Sequence, residues 1–198
     1  QLKLAQFQSD GVARALRILD SLGGVLIADE VGLGKTYIAG EIIAIAHNEK
    51  RQKTLIICPA SLKKSMWNPF LKKYDFSRRV EVFSYEEIRN NMNDDEAFKE
   101  KMDDYALVVI DEAHNLRNPT AQRSEAIDRA ILAGDNPKKV VLLTATPVNN
   151  SLTDLETLIK YFVRDDAQFA AENIPSIKQY IKNAQDLEPE LLSPEHLF

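Results

Sequence analysis

Two short segments of this chain carry side chains that together could hold a triphosphate and its metal. In the first, Ala28-Asp29-Glu30-Val31-Gly32-Leu33-Gly34-Lys35-Thr36, two glycines precede a lysine and a threonine. Gly32 and Gly34 let the backbone turn so that successive N–H groups and the start of a following helix converge on phosphate oxygens. Lys35 can then reach the β- and γ-phosphates, and the Thr36 hydroxyl can ligate Mg²⁺. Asp29 stands where the strict phosphate-loop pattern has glycine, so a literal search with that pattern misses the segment. A glycine-rich strand-to-helix turn that binds nothing is the bland alternative, and the second segment weighs against it.

That second segment is Asp111-Glu112-Ala113-His114, placed directly after the apolar run 106–110. Open α/β sheets bind ligands at the carboxyl ends of their strands. One carboxylate there can hold Mg²⁺, and its neighbour can orient and deprotonate an attacking water. Asp111 is assigned to the metal and Glu112 to the water. His114 has no histidine partner nearby, because His47 and His196 fall elsewhere, so a polar relay is expected instead of a zinc site. A third stretch, Leu143-Thr144-Ala145-Thr146-Pro147, ends another apolar run with two hydroxyls. Its plain reading is a strand cap and turn. Its functional reading has Thr144 and Thr146 bonded to the acidic segment, coupling it to a loop that faces a polymer or a second lobe.

These segments need a frame, and the hydropathy pattern supplies one. Five apolar runs, 25–28, 54–58, 80–83, 106–110 and 140–143, end at turns or charges and read as strands. Most are apolar at every position, the mark of strands buried on both faces in a parallel sheet. Helical spacing over 35–47, 62–74 and 121–132 supplies the crossovers. The fold expected is therefore α/β: a doubly wound, mostly parallel sheet with helices on both faces. The charge-dense stretch 94–104 is expected to be an exposed, partly helical excursion. Leu152, Leu155, Leu158, Ile159 and Phe162 predict a helix docked on the sheet. Residues 1–163 are expected to form the nucleotide-binding lobe, with 164–198, broken by Pro175, Pro189 and Pro194, as a helical C-terminal tail or linker toward a second lobe.

Bulk properties narrow the classes. The 198 residues are 44% hydrophobic and 28% charged, enough for one globular core. No apolar stretch approaches the roughly 20 residues a membrane span needs, so no membrane partner is expected. The chain begins at Gln1 without a basic-then-apolar leader, so an intracellular origin, as a piece of something longer, is expected. The single Cys58 sits in an apolar run and reads as a small buried hydrophobe. A net charge of −5 rules out attraction to nucleic acid by overall charge, although a motor needs only a local basic track. The pairs Lys63/Lys64, Lys72/Lys73 and Arg78/Arg79 serve equally well as solvated helix faces.

The stretches ADEVGLGKT, DEAHNLRN and LTATPVNN, in that order and context, resemble those of superfamily 2 helicase-like ATPases of the Swi/Snf-type, RapA-like branch. The resemblance runs from about Leu4 to Phe162. It implies the N-terminal RecA-like lobe of a P-loop NTPase, with ATP and Mg²⁺ as cofactors and an acidic residue as the usual occupant of the Asp29 position. The ATP cradle it implies comprises Asp29, Glu30, Val31, Gly32, Leu33, Gly34, Lys35 and Thr36, with Gln8, next to Phe7, reading the adenine edge. Pro59, Ala60 and Ser61, after Cys58, resemble a segment that grips nucleic-acid phosphates; Ser84 and Tyr85 resemble a second contact. Asn118 lies in Leu116-Arg117-Asn118, which matches a branch-specific extension, with Arg where Lys is commoner. The resemblance implies a DNA-dependent ATPase that tracks along double-stranded DNA and hydrolyses ATP to ADP and phosphate when a second RecA-like lobe completes the site with its arginines. Alone, these residues are expected to be nearly inactive. A strand-separating DNA or RNA helicase would share the chemistry, and a non-hydrolysing ATP-binding module is the reading outside enzymes.

Overall fold

The computed structural model of the chain describes residues 2–28, 34–48, 50–76, 78–146, 152–163, 176 and 179. Asp29, Glu30, Val31, Gly32 and Leu33, Pro147 and nearly all of the tail 164–198 lie outside these residues.

The chain opens with α1 (Gln6–Leu22), whose Val12, Ala15 and Leu19 recur at helical spacing and turn inward. It ends on Gly23 in the left-handed conformation, whose N–H bonds the Leu19 carbonyl. Then follow β1 (Gly24–Ala28), α2 (Lys35–Asn48) and β2 (Lys53–Cys58). A helical segment comes next in three pieces: α3 (Ala60–Leu62), a π-helical turn (Lys63–Trp67) and α4 (Asn68–Lys73). β3 (Val80–Ser84) leads into α5 (Tyr85–Asp94) and α6 (Glu96–Met102). β4 (Tyr105–Asp111) passes through a 3-10 turn (Ala113–Leu116) to α7 (Gln122–Leu132), and β5 (Lys139–Thr144) precedes α8 (Leu152–Ile159).

All five strands form one parallel sheet in the order β1-β5-β4-β2-β3. The acidic strand β4 is thus central, with β5 between it and β1. Alternate residues of the strands feed two separate cores: Leu107 and Val109 of β4 join α1, α2 and α4, while Val108 and Ile110 join α5, α6, α7 and α8. This two-sided burial is why the strands read as unbroken apolar runs. The α/β expectation of a parallel sheet covered on both faces is met.

Differences from the sequence reading lie among the helices. The stretch 94–104 is largely exposed and partly helical as expected, but it is anchored: α6 buries Phe98 and Met102, and its cap Asp95 accepts from the Phe98 N–H at 3.0 Å. The helix expected to reach Phe162 ends at Ile159, where i+3 bonds from Phe162 N to Ile159 O tighten the last turn. Cys58, at the end of β2, is fully buried, and burial pushes its thiol up to about 12. No helix among the described residues is long and apolar enough to cross a membrane.

Candidate active site

Gly34 is the last residue before α2, at φ +88°, a conformation open to glycine and costly for other residues. A Cβ built there would fall 2.3 Å from Gln8 Nε2, so the side chain of Gln8 presses directly on the exit of the glycine-rich loop. The Ala5 N–H donates to Gln8 Oε1 at 3.0 Å, which orients the amide. Lys35 and Thr36 follow as the first two residues of α2, where the helix dipole favours an anion.

Across from them stands the end of β4. Asp111 is only 7% exposed, and both its oxygens are engaged: Trp67 Nε1–H donates to Oδ2 and the Glu112 N–H donates to Oδ1, each at 2.9 Å. Burial holds its carboxyl above the usual range. The two hydrogen bonds and the Lys35 charge act in the opposite direction, and the Glu112 charge reinforces burial. A divalent cation beside it would offset the burial cost.

Glu112 has φ 54° and ψ 47°, left-handed backbone that costs a non-glycine residue about 1–3 kcal/mol. The surroundings hold it there. Tyr85 Oη donates to the Asp111 carbonyl at 2.7 Å and reaches the Glu112 carbonyl at 3.2 Å, and Asn115 Nδ2 donates to the Glu112 carbonyl at 2.8 Å. His114 Nδ1 lies 3.1 Å from Glu112 Oε2 and 3.5 Å from Thr144 Oγ1. Thr144 Oγ1 accepts from the Thr146 N–H, and Thr146 Oγ1 accepts from Arg117 at 3.2 Å. Arg117 also pairs with Asp154 of α8 at 3.6 Å. A continuous polar chain therefore joins Glu112 through His114 to the threonine segment.

Lys35, Thr36, Asp111 and Glu112 line one cavity of about 490 Å³ at the carboxyl end of the sheet. The donor set suits a metal-bound polyphosphate: an ammonium and a hydroxyl at a helix start on one wall, and a buried carboxylate on the other. Pro59, Ala60 and Ser61 lie just past the end of β2, Pro59 half-buried and the other two exposed. Asn118 is exposed, and its side chain accepts from Thr120 N and Oγ1.

Ser84 and Tyr85 are a correction. They were expected to touch a polymer, yet Ser84 is 4% and Tyr85 2% exposed. Ser84 Oγ caps α5 by accepting from the Glu87 N–H, and the Tyr85 hydroxyl is turned inward to the acidic strand end. The sequence did carry the cap signal, a Ser followed three residues later by Glu. Trp67, 44 positions before Asp111, was missed because nothing in the sequence spacing ties the two together.

Comparison with known proteins agrees with this fold. The pattern of the SNF2-related domain matches residues 7–105 and 72–173. A Drosophila melanogaster relative, SWI/SNF-related matrix-associated actin-dependent regulator of chromatin subfamily A-like protein 1, is 28% identical over 80% of this chain and 22% of its own length. The mouse DNA annealing helicase and endonuclease ZRANB3 is 32% identical over 73% of this chain and 14% of its own. The Bacillus subtilis ATP-dependent helicase YqhH, described as uncharacterized, is 31% identical over 73% of this chain and 27% of its own. The chain thus spans about a quarter or less of these relatives. In fold it resembles the Sulfolobus solfataricus SWI2/SNF2 ATPase core in complex with dsDNA, with a TM-score of 0.69 over 93% of this chain and 42% of that one, at 23% identity.

Proposed function

The chain belongs to the SNF2-related domain family, and from that premise we propose that it is the ATP-binding lobe of a DNA-dependent ATPase that moves along double-stranded DNA. The observation that carries the reading is the single cavity shared by Lys35, Thr36, Asp111 and Glu112 at the carboxyl end of the sheet.

In this reading Mg²⁺-bound ATP supplies the phosphoryl group to be transferred and the metal charge that steadies it. Lys35 binds the terminal phosphates, with the loop residues Asp29, Glu30, Val31, Gly32, Leu33 and Gly34 around them. Thr36 and Asp111 hold the metal. Glu112 orients a water and takes its proton, and His114 fixes the Glu112 carboxylate through their 3.1 Å contact. Gln8, packed on Gly34, reads the base. Thr144 and Thr146 link that chemistry to Arg117 and α8.

Duplex DNA as the track is supported by the Sulfolobus core, a structure of that protein with dsDNA, and by the DNA-acting names of the relatives. Pro59, Ala60, Ser61 and Asn118 are the residues proposed to meet it. A second RecA-like lobe is supported by that core, of which this chain matches 42%. Residues 1–163 would be the lobe proper and 164–198 the connection onward, working inside the cell where nucleic acid lies.

Two variants test the roles. Lys35→Ala should abolish ATP binding, and Glu112→Gln should keep binding while turnover falls by at least about a hundredfold. ATPase rates with duplex DNA, single strands and RNA in parallel identify the track. Unchanged ATP affinity in the lysine variant overturns the site; stimulation by RNA alone overturns the duplex.

A further inference from the structure

The π-helical turn Lys63–Trp67 touches both proposed metal ligands, Asp111 through the Trp67 bond described above and Thr36 through Met66. Thr36 Oγ1 donates to Met66 Sδ at 3.3 Å, and the next residue, Trp67, donates to Asp111 Oδ2 at 2.9 Å. We infer that this turn is a metal-positioning element, with Trp67 as the positioning residue for Asp111 and Met66 for Thr36. The inference rests on the reading of the cavity as a Mg²⁺–nucleotide site.

The sequence explains why the turn is wide. Pro69 has no N–H to give to the Ser65 carbonyl, so the α-helical ladder is interrupted just after this turn. The Asn68 N–H bonds the Lys63 carbonyl, five residues back. Of the two consecutive side chains, Met66 then lines the cavity and Trp67 is buried behind it against Asp111. Gly40 of α2 then locks the assembly, because a Cβ there would lie 2.4 Å from Phe70 Cζ. Phe70 packs edge-on to Trp67 at 5.9 Å and to Tyr37 at 5.8 Å, so α2 and the turn are held as one body.

The chemistry follows from the lone pairs. An indole has one N–H and accepts nothing. Bonded to Oδ2, with the Glu112 N–H on Oδ1, it fixes the plane of the Asp111 carboxylate and leaves one lone pair on each oxygen for a cation. Thr36 spends its proton on a weak sulfur acceptor, so its oxygen lone pairs turn to the cavity. Partners one step removed from a metal change its affinity by about 10–100-fold when removed.

Trp67 is the one tryptophan of the chain, so the device reports on itself. In the full chain, affinity for a fluorescent ATP analogue is measured with Mg²⁺ and with EDTA, for wild type, W67F and M66L. W67F should weaken binding about tenfold or more in Mg²⁺ and by less than about twofold in EDTA, with M66L in between. The wild-type emission minus that of W67F isolates Trp67, and it should shift when Mg²⁺ joins bound nucleotide, whether or not W67F folds well. Equal losses with and without metal, or a Trp67 emission blind to Mg²⁺, overturn the inference. Wild type that binds no nucleotide in either condition refutes the nucleotide site itself, and the inference falls with it.

Discussion

From the first face of the sheet, the Trp67 indole meets a carboxylate oxygen of Asp111; from the second, the Tyr85 hydroxyl meets the backbone carbonyl of the same residue. Both donors are large aromatics with almost no exposure, and both sit on helical segments that follow a strand end. Their targets differ. Trp67 holds a charged group whose ionisation and direction matter to a cation, whereas Tyr85 holds main chain that any residue would offer. Burial raises the Tyr85 hydroxyl well above its ordinary range, so it stays protonated and remains a donor at every working pH. The difference separates two tasks: the second face keeps the strained turn at Glu112 in shape, and the first, in the proposed reading, aims the carboxylate that would hold the metal.

Removing the brace on the second face should have the largest effect. Tyr85→Phe keeps the ring but leaves the Asp111 carbonyl without its donor, a loss of about 1–3 kcal/mol in urea unfolding. Turnover should fall beyond what reduced folding accounts for, because Glu112 loses part of its anchor. If stability is unchanged, Tyr85 is merely packed there and the division of labour fails. Ser84→Ala comes next, at about 1 kcal/mol, since it removes only the α5 cap from outside the acidic turn. Turnover per folded molecule should be unaffected, which sharpens the contrast with Tyr85.

Asp111→Asn should give the smallest change at neutral pH, because relief of the buried charge is opposed by loss of one of the two hydrogen bonds that the carboxylate accepts. The carboxyl is raised by burial, so the folded state holds more protons than the unfolded one between the unfolded value of about 3.9 and the raised folded value. Wild-type stability therefore falls as pH rises through that window, and the deficit persists above it. The asparagine variant carries no such slope, so its stability relative to wild type should rise from pH 4 to pH 8, read as about 2–4 °C in Tm for each 1 kcal/mol. Thermal melts from pH 4 to pH 8 check both statements. Parallel melts of the two proteins across that range would show that Asp111 carries no buried-charge cost.

Much of this was legible in the chain. Strands buried on two faces leave apolar runs that nothing else explains, and Lys35, Asp111 and Glu112 are read from local context because each sits at a strand-to-helix junction. The second face was less so. α5 carries Tyr85, Ile88 and Met92 among Glu86, Glu87, Arg89, Asn90 and Asn91, so its narrow apolar stripe is easily read as polar surface. Its capping box, Ser84 with Glu87 three residues later, is the sign the sequence offers. Trp67 lay beyond reach altogether, because its partner is fixed by how α2, β4 and the π turn meet in space.

Cys58 offers a practical handle of a different kind. It is the only cysteine, it ends β2 immediately before Pro59, and burial leaves its thiol almost wholly protonated at neutral pH. Alkylating reagents attack the thiolate, so labelling must wait until the centre of the sheet opens. The rate of modification is then a clock for that opening, run without any engineered probe. Surface cysteines can also be introduced for dyes with the native one left in place, since it reacts only on the timescale of unfolding.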